Sequence, residues 1–180
     1  MGTTFTLTVP LPYAGEEKRS AEEAGDTASL AGRRVLIVED LPENAEIVAD
    51  LLELEEMETE RAENGRTALD MFSASQPGHY DAILMDLRMP VMDGLEAARH
   101  IRALDRADAG RIPIIALTAN AFESDVRASL EAGMNAHLAK PVDAEKLYET
   151  LRRSIRESAE AASTNARIQA DPAPPAGAGS

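Results

Sequence analysis

The sequence predicts a doubly wound parallel α/β domain of five strand–helix units over residues 33–156. Three observations lead there. Short apolar runs alternate with segments of helical periodicity, the pattern of a parallel sheet covered by helices on both faces. Four of the runs are continuously apolar, as strands buried on both sides are. Each of the four also ends on a charged or hydroxyl residue. In open α/β sheets, functional groups gather at the carboxyl ends of the strands.

The elements follow in order. Val35–Val38 is the first apolar run and closes on Glu39 and Asp40. Pro42 suits a first helical position, and Ile47, Val48, Leu51 and Leu52 form the apolar face of the first helix. Met57–Ala62 alternates and is polar, which suits an edge strand. Asn64 can cap a helix that buries Ala68, Leu69 and Phe72. Ala82–Met85 is the third strand, ending at Asp86, and Leu95, Ala98 and Ile101 mark the helix after it. Ile112–Leu117 ends at Thr118, and Phe122, Val126 and Leu130 mark a fourth helix stopped by Gly133. Ala136–Ala139 ends at Lys140. Asp143 can cap the last helix, with Leu147, Leu151 and Ile155 turned inward.

The flanks differ. Residues 157–180 are Ala, Ser, Pro and Gly with little to bury, and their composition predicts a disordered tail. Residues 13–32 read as a linker. In residues 3–11, Phe5, Leu7, Val9 and Leu11 alternate with Thr and Pro, a strand signal with no second strand beside it.

Composition narrows the chemistry. Lys+Arg 18 against Asp+Glu 32, for a net charge of −14, argues against a nucleic-acid partner. Zero Cys excludes disulfides, thiolate zinc sites and a cysteine nucleophile. No apolar run approaches the ~18 residues of a membrane span, so no direct membrane contact is expected. The N-terminus has no basic stretch followed by an apolar one, so no signal peptide is read. These features suit a cytoplasmic location.

Glu39, Asp40, Asp86, Thr118 and Lys140 should converge on one edge of the sheet. Clustered carboxylates repel unless a cation is shared among them. Mg²⁺ suits one or two carboxylates together with water and phosphate oxygens. With Lys140 as a second positive charge and Thr118 as a hydroxyl donor, the set matches phosphoryl transfer to a carboxylate. Asp86 is the central candidate for the nucleophile.

Residues 34–156 resemble a receiver domain of the two-component response-regulator family. The match is carried by Glu39-Asp40, by Leu-Met-Asp86-Leu-Arg-Met-Pro90-Val-Met-Asp93-Gly94, by Ala-Leu-Thr118-Ala-Asn120 and by Leu-Ala-Lys140-Pro141, all at the family's usual spacings. The resemblance implies a flavodoxin-like fold with strand order 2-1-3-4-5. It implies Asp86 as phosphoacceptor, with Asp40, Asp86 and the backbone carbonyl of Arg88 on Mg²⁺ and Glu39 reaching it through water. Thr118 and Lys140 would bind phosphoryl oxygens, and Pro141 would follow a cis peptide bond. Arg88 and Asn120 occupy positions that tune aspartyl-phosphate lifetime. His137 stands where an aromatic residue often switches rotamer together with the Thr.

The motifs are most similar to receivers attached to hybrid sensor histidine kinases, and residues 2–11 resemble the last strand of a kinase ATP-binding domain. Residues 1–12 are therefore read as a remnant of that domain, although no phosphoacceptor helix or ATP-binding box lies in these residues. The implied partners are a kinase phosphohistidine domain and a histidine phosphotransfer protein, and the parent kinase could be membrane-anchored. Such a receiver promotes its own phosphorylation but is not a turnover kinase. Phosphorylation should bias the face made by the fourth helix, fifth strand and fifth helix. The alternative is a stand-alone single-domain regulator acting as a phosphorylation-dependent binding switch. A flavin-type cofactor domain would leave Asp40, Asp86 and Lys140 unexplained together.

Other residues have plainer readings. Asp93-Gly94 reads as a turn or helix start, and Met85, Met89 and Met92 as packing. His79 and His100 read as surface, and Asn44 as a structural hydrogen-bonder.

Overall fold

The chain is described here by a computed structural model, which covers residues 29–119 and 122–170, with side chains as far as Thr164. The strand expected over residues 3–11, most of the linker, Asn120 and residues 171–180 lie outside the described residues.

Strands β1 (Arg34–Val38), β2 (Glu58–Ala62), β3 (Ala82–Asp86), β4 (Ile114–Thr118) and β5 (Ala136–Ala139) form one parallel sheet in the order β2-β1-β3-β4-β5. Between and after them run α1 (Pro42–Glu53), α2 (Gly65–Ala74), α3 (Gly94–Arg102), α4 (Glu123–Glu131) and α5 (Ala144–Ala170).

The continuous apolar runs are explained by two cores. Successive strand residues point to opposite faces. Leu36, Val38, Ile83, Met85, Ile114 and Ala116 pack with Phe72 of α2 and Ala97 and Ile101 of α3. Val35, Ile37, Leu84, Ile115 and Leu117 pack on the other face with Val48 and Leu52 of α1 and Leu147 and Leu151 of α5.

Local chemistry sets the helix starts. Pro42 takes the first position of α1. The Asn64 side chain accepts from the Thr67 N–H at 2.9 Å. Asp93 accepts from Glu96 N–H at 2.8 Å and Asp143 from Lys146 N–H at 3.0 Å.

Several expectations are corrected. On α1, Ile47 is 58% exposed, and Ala45 joins Val48 and Leu52 on the buried face instead. Ile112 is buried but precedes β4. The intervening Pro113 lacks an N–H for the ladder, and its carbonyl instead accepts from Ile83 N–H at 2.8 Å. β5 is not buried on both faces: it is the second edge strand, and only Leu138 is buried.

The apolar stripe assigned to α4 points mostly outward. Phe122 precedes the helix as its N-cap and is 63% exposed, and Leu130 is 56% exposed. α4 packs chiefly against the edge strand β5, so it covers little sheet and buries Ser129.

The linker expectation also stops short, because Leu30 is buried in the core and the packed domain begins before residue 33. At the other end, Glu157–Ala170 continues α5 instead of being disordered. The composition there is poor for a core but rich in Ala, with no Gly or Pro until Pro172, and Ala is the strongest helix former. Ser158 further ties this extension to the domain, its hydroxyl donating to the Arg111 carbonyl at 3.0 Å.

Candidate active site

The sheet register brings the strand ends together. Val38 lies opposite Met85, Asp86 opposite Leu117, and Thr118 opposite Ala139. The residue following β1, the last residues of β3 and β4, and the residue following β5 therefore meet along one edge.

Glu39, Asp40 and Asp86 each present a carboxylate oxygen within 4.8 Å of the others. Glu39 is 1% exposed, Asp86 7% and Thr118 4%, while Asp40 is half-buried. Lys140 closes the group: its ammonium donates to Glu39 Oε2 at 2.5 Å and to Asp86 Oδ2 at 2.6 Å. Burial works to lower the Lys140 pKa, but the hydrogen bonds and charges of Asp86 and Glu39 outweigh it and raise the value above that of an ordinary lysine. The cation is thus held in its charged form between two buried carboxylates. Carboxylate oxygens in this number suit a hard divalent cation that keeps part of its shell for water or phosphate.

The loops around Asp86 are shaped by backbone contacts. The Arg88 N–H donates to Asp86 Oδ1 at 3.0 Å, folding the loop back over the carboxylate. Gly94 N–H donates to the Leu87 carbonyl at 3.2 Å. A Cβ on Gly94 would collide with the Asp86 carbonyl oxygen. Of the two readings, a turn or a helix start, the Asp93-Gly94 pair is the helix start, and it is also the point where α3 presses on the backbone of the central carboxylate. Met85 and Met92 are buried in the same core, with Met89 packed against it.

The structure places the remaining candidates with less uniformity. The Lys140–Pro141 peptide bond is cis. The Arg88 side chain is largely exposed and lies 3.8 Å from Asp125 at the start of α4. His137 sits on β5 and is exposed. His79 is not a loose surface residue, because its ring lies 3.0 Å from Glu60 Oε1.

Two residues at this edge went unread as site residues. Asn44, in the first turn of α1, donates to Glu39 Oε1 at 3.1 Å. Arg61, on β2, donates to the carbonyls of Glu39 at 3.2 Å and Asp40 at 3.1 Å. Arg61 carries no sequence signal, because its role depends on β2 pairing beside β1. Asn44 carries a faint one: a polar residue in the first turn, facing back toward the acidic pair.

The family profile described as the response regulator receiver domain matches residues 35–152. The chain belongs to that family. The receiver is 37% identical over 142 residues to the aerobic respiration control sensor protein ArcB of Escherichia coli K12, covering 78% of this chain and 17% of ArcB. It is 35% identical over 130 residues to hybrid signal transduction histidine kinase I of Dictyostelium discoideum, covering 71% of this chain and 8% of that protein. The chain thus spans less than a fifth of either curated relative.

Among solved structures, the receiver domain of sensor histidine kinase PA1611 from Pseudomonas aeruginosa superposes with a TM-score of 0.63 at 42% identity. The match covers 69% of this chain and 98% of that one, and the PA1611 domain holds a magnesium ion in its active-site cleft. The receiver domain of Saccharomyces cerevisiae Ssk1, solved with the phosphotransfer protein Ypd1, matches at 32% identity and a TM-score of 0.59, covering 68% of this chain and 88% of that one. Strand order and helix placement are those of the flavodoxin-like receiver fold.

Proposed function

We propose that this receiver accepts a phosphoryl group from a phosphohistidine onto Asp86, with Mg²⁺, and relays it to a histidine phosphotransfer partner as part of a hybrid sensor histidine kinase. The observation that carries the reading is the Lys140 ammonium shared between Glu39 and Asp86, with Asp40 beside them.

In the transfer, a carboxylate oxygen of Asp86 attacks phosphorus, a P–O bond forms, and the P–N bond to the donor imidazole breaks. Asp40, Asp86 and the Arg88 carbonyl would hold the Mg²⁺, with Glu39 acting through water. When bound, the ion neutralises charge on the phosphoryl oxygens. Lys140 follows the new negative charge from the Asp86 carboxylate onto the phosphoryl group, and the Thr118 hydroxyl donates to another phosphoryl oxygen. Arg88 and Asn120 would tune the lifetime of the aspartyl phosphate.

The surroundings suit a docking histidine. An apolar notch of about 110 Å³ beside Lys140 is lined by Ile47, Val48, Pro141 and Val142. Ile47 is exposed at its rim. These features support an apolar helical partner there; the relay is proposed to run in the cytoplasm.

A second reading, a stand-alone binding switch, is favoured by the exposed Phe122 and Leu130 along α4. Either way, incubation with acetyl phosphate or beryllofluoride and Mg²⁺ is expected to give an adduct, lost in Asp86→Asn. Absence of an Asp86-dependent adduct would overturn both readings. Rapid transfer to an isolated phosphotransfer domain supports the relay. A stable phosphoprotein that gives nothing up supports the switch.

A further inference from the structure

We infer that Asn44 is a positioning residue that fixes the Glu39 carboxylate and so apportions the Lys140 ammonium between Glu39 and Asp86. The inference deepens the phosphoryl-transfer reading and rests on it for its rate measurement.

Glu39 is 1% exposed, and a buried carboxylate must find donors. It has two from side chains: Asn44 Nδ2 at 3.1 Å on Oε1 and Lys140 Nζ at 2.5 Å on Oε2. The same Nζ donates to Asp86 Oδ2 at 2.6 Å. Lys140 is therefore divided between two acids, and the division depends on how much of Glu39's demand is met elsewhere. Without the Asn44 amide, Oε1 is left buried and turns toward the remaining donor. Lys140 is then drawn toward Glu39 and away from the oxygen that must receive the phosphoryl group.

The helix start shows the same priority. Leu41 stands at the N-cap of α1 and makes no side-chain cap. A Ser, Thr or Asp there would cap the helix and stabilise it. Asn44, at the third helical position, directs its amide donor back across the helix start to Glu39. Places where local structure forgoes stabilisation in this way tend to be functional sites.

The test is a double-mutant cycle, Asn44→Ala with Glu39→Ala, followed by acetyl-phosphate-driven phosphorylation at saturating Mg²⁺. Asn44→Ala is expected to slow phosphorylation about tenfold and to add less than twofold in the Glu39→Ala background. Asn44→Asp keeps the shape but removes the donor, and is expected to be at least as slow as Asn44→Ala. Thermal unfolding confirms that each variant folds, and the isosteric Asn44→Asp serves if Asn44→Ala does not. A second readout is the Lys140 ammonium resonance in metal-free protein, which should move in both Asn44 variants. Equal slowing with and without Glu39, or an unmoved Lys140 resonance, would overturn the inference. If the unaltered chain forms no Asp86 adduct, the transfer reading fails, and the metal-free resonance alone decides the positioning role.

Discussion

At the scale of single residues, the site is a set of buried charges whose partners come from distant parts of the chain. Lys140 is 54 residues from Asp86 and 101 from Glu39 in sequence, yet it bonds both. Gly94 is required by contact with the Asp86 backbone, so Gly94→Ala is expected to destabilise the domain by about 2 kcal/mol through overpacking, read by urea unfolding. Asp108, at the far end of the sheet, gives a pH signature. Burial tends to raise its pKa, but hydrogen bonds from Arg106 and the Gly78 N–H outweigh it and lower the value. A lowered carboxylate stabilises the fold above its unfolded pKa, and that contribution is lost as pH falls through the folded value. The stability gap between the unaltered chain and Asp108→Asn is thus expected to be full at neutral pH and to close below about pH 4.

At the scale of elements, α3 and α4 contrast. α3 buries Ala97, Ala98 and Ile101, while α4 buries Ser129 and leaves Phe122 and Leu130 exposed. Ile101→Ala is expected to cost about 2–5 kcal/mol. Phe122→Ser and Leu130→Ser should each change stability by no more than about 0.5 kcal/mol, while weakening any partner that uses this face. Denaturant titration beside a binding assay separates the two effects. The extension of α5 is anchored by Ser158 at Arg111. Ending the chain after Glu157 is expected to reduce helical circular dichroism while costing only about 1 kcal/mol of domain stability.

At the scale of the whole molecule, the proposed Mg²⁺ site would couple folding to cation binding. A ligand bound only by the folded state stabilises it by mass action, about 1.4 kcal/mol at tenfold its dissociation constant. Mg²⁺ is therefore expected to raise the melting temperature of the unaltered chain, and Asp40→Asn to abolish most of that rise. Calorimetry with Ca²⁺ or Na⁺ at matched ionic strength distinguishes site binding from screening of the net charge of −14.

The sequence by itself determined the alternation of strands and helices, the caps at Asn64 and Asp143, and the acids, hydroxyl and lysine at the strand ends. Those properties are local: apolar periodicity, turn chemistry and motif spacing are written within a few residues. Tertiary structure decided what depends on neighbours. It turned the α4 stripe and Ile47 outward, made β5 an edge, and brought Leu30 into the core. It also set Arg61 and Asn44 against the acidic pair. Which face of an element is buried depends on how much sheet lies beneath it, and a second contact to a carboxylate depends on which strand or helix packs alongside. Neither quantity exists until the strands have taken their order.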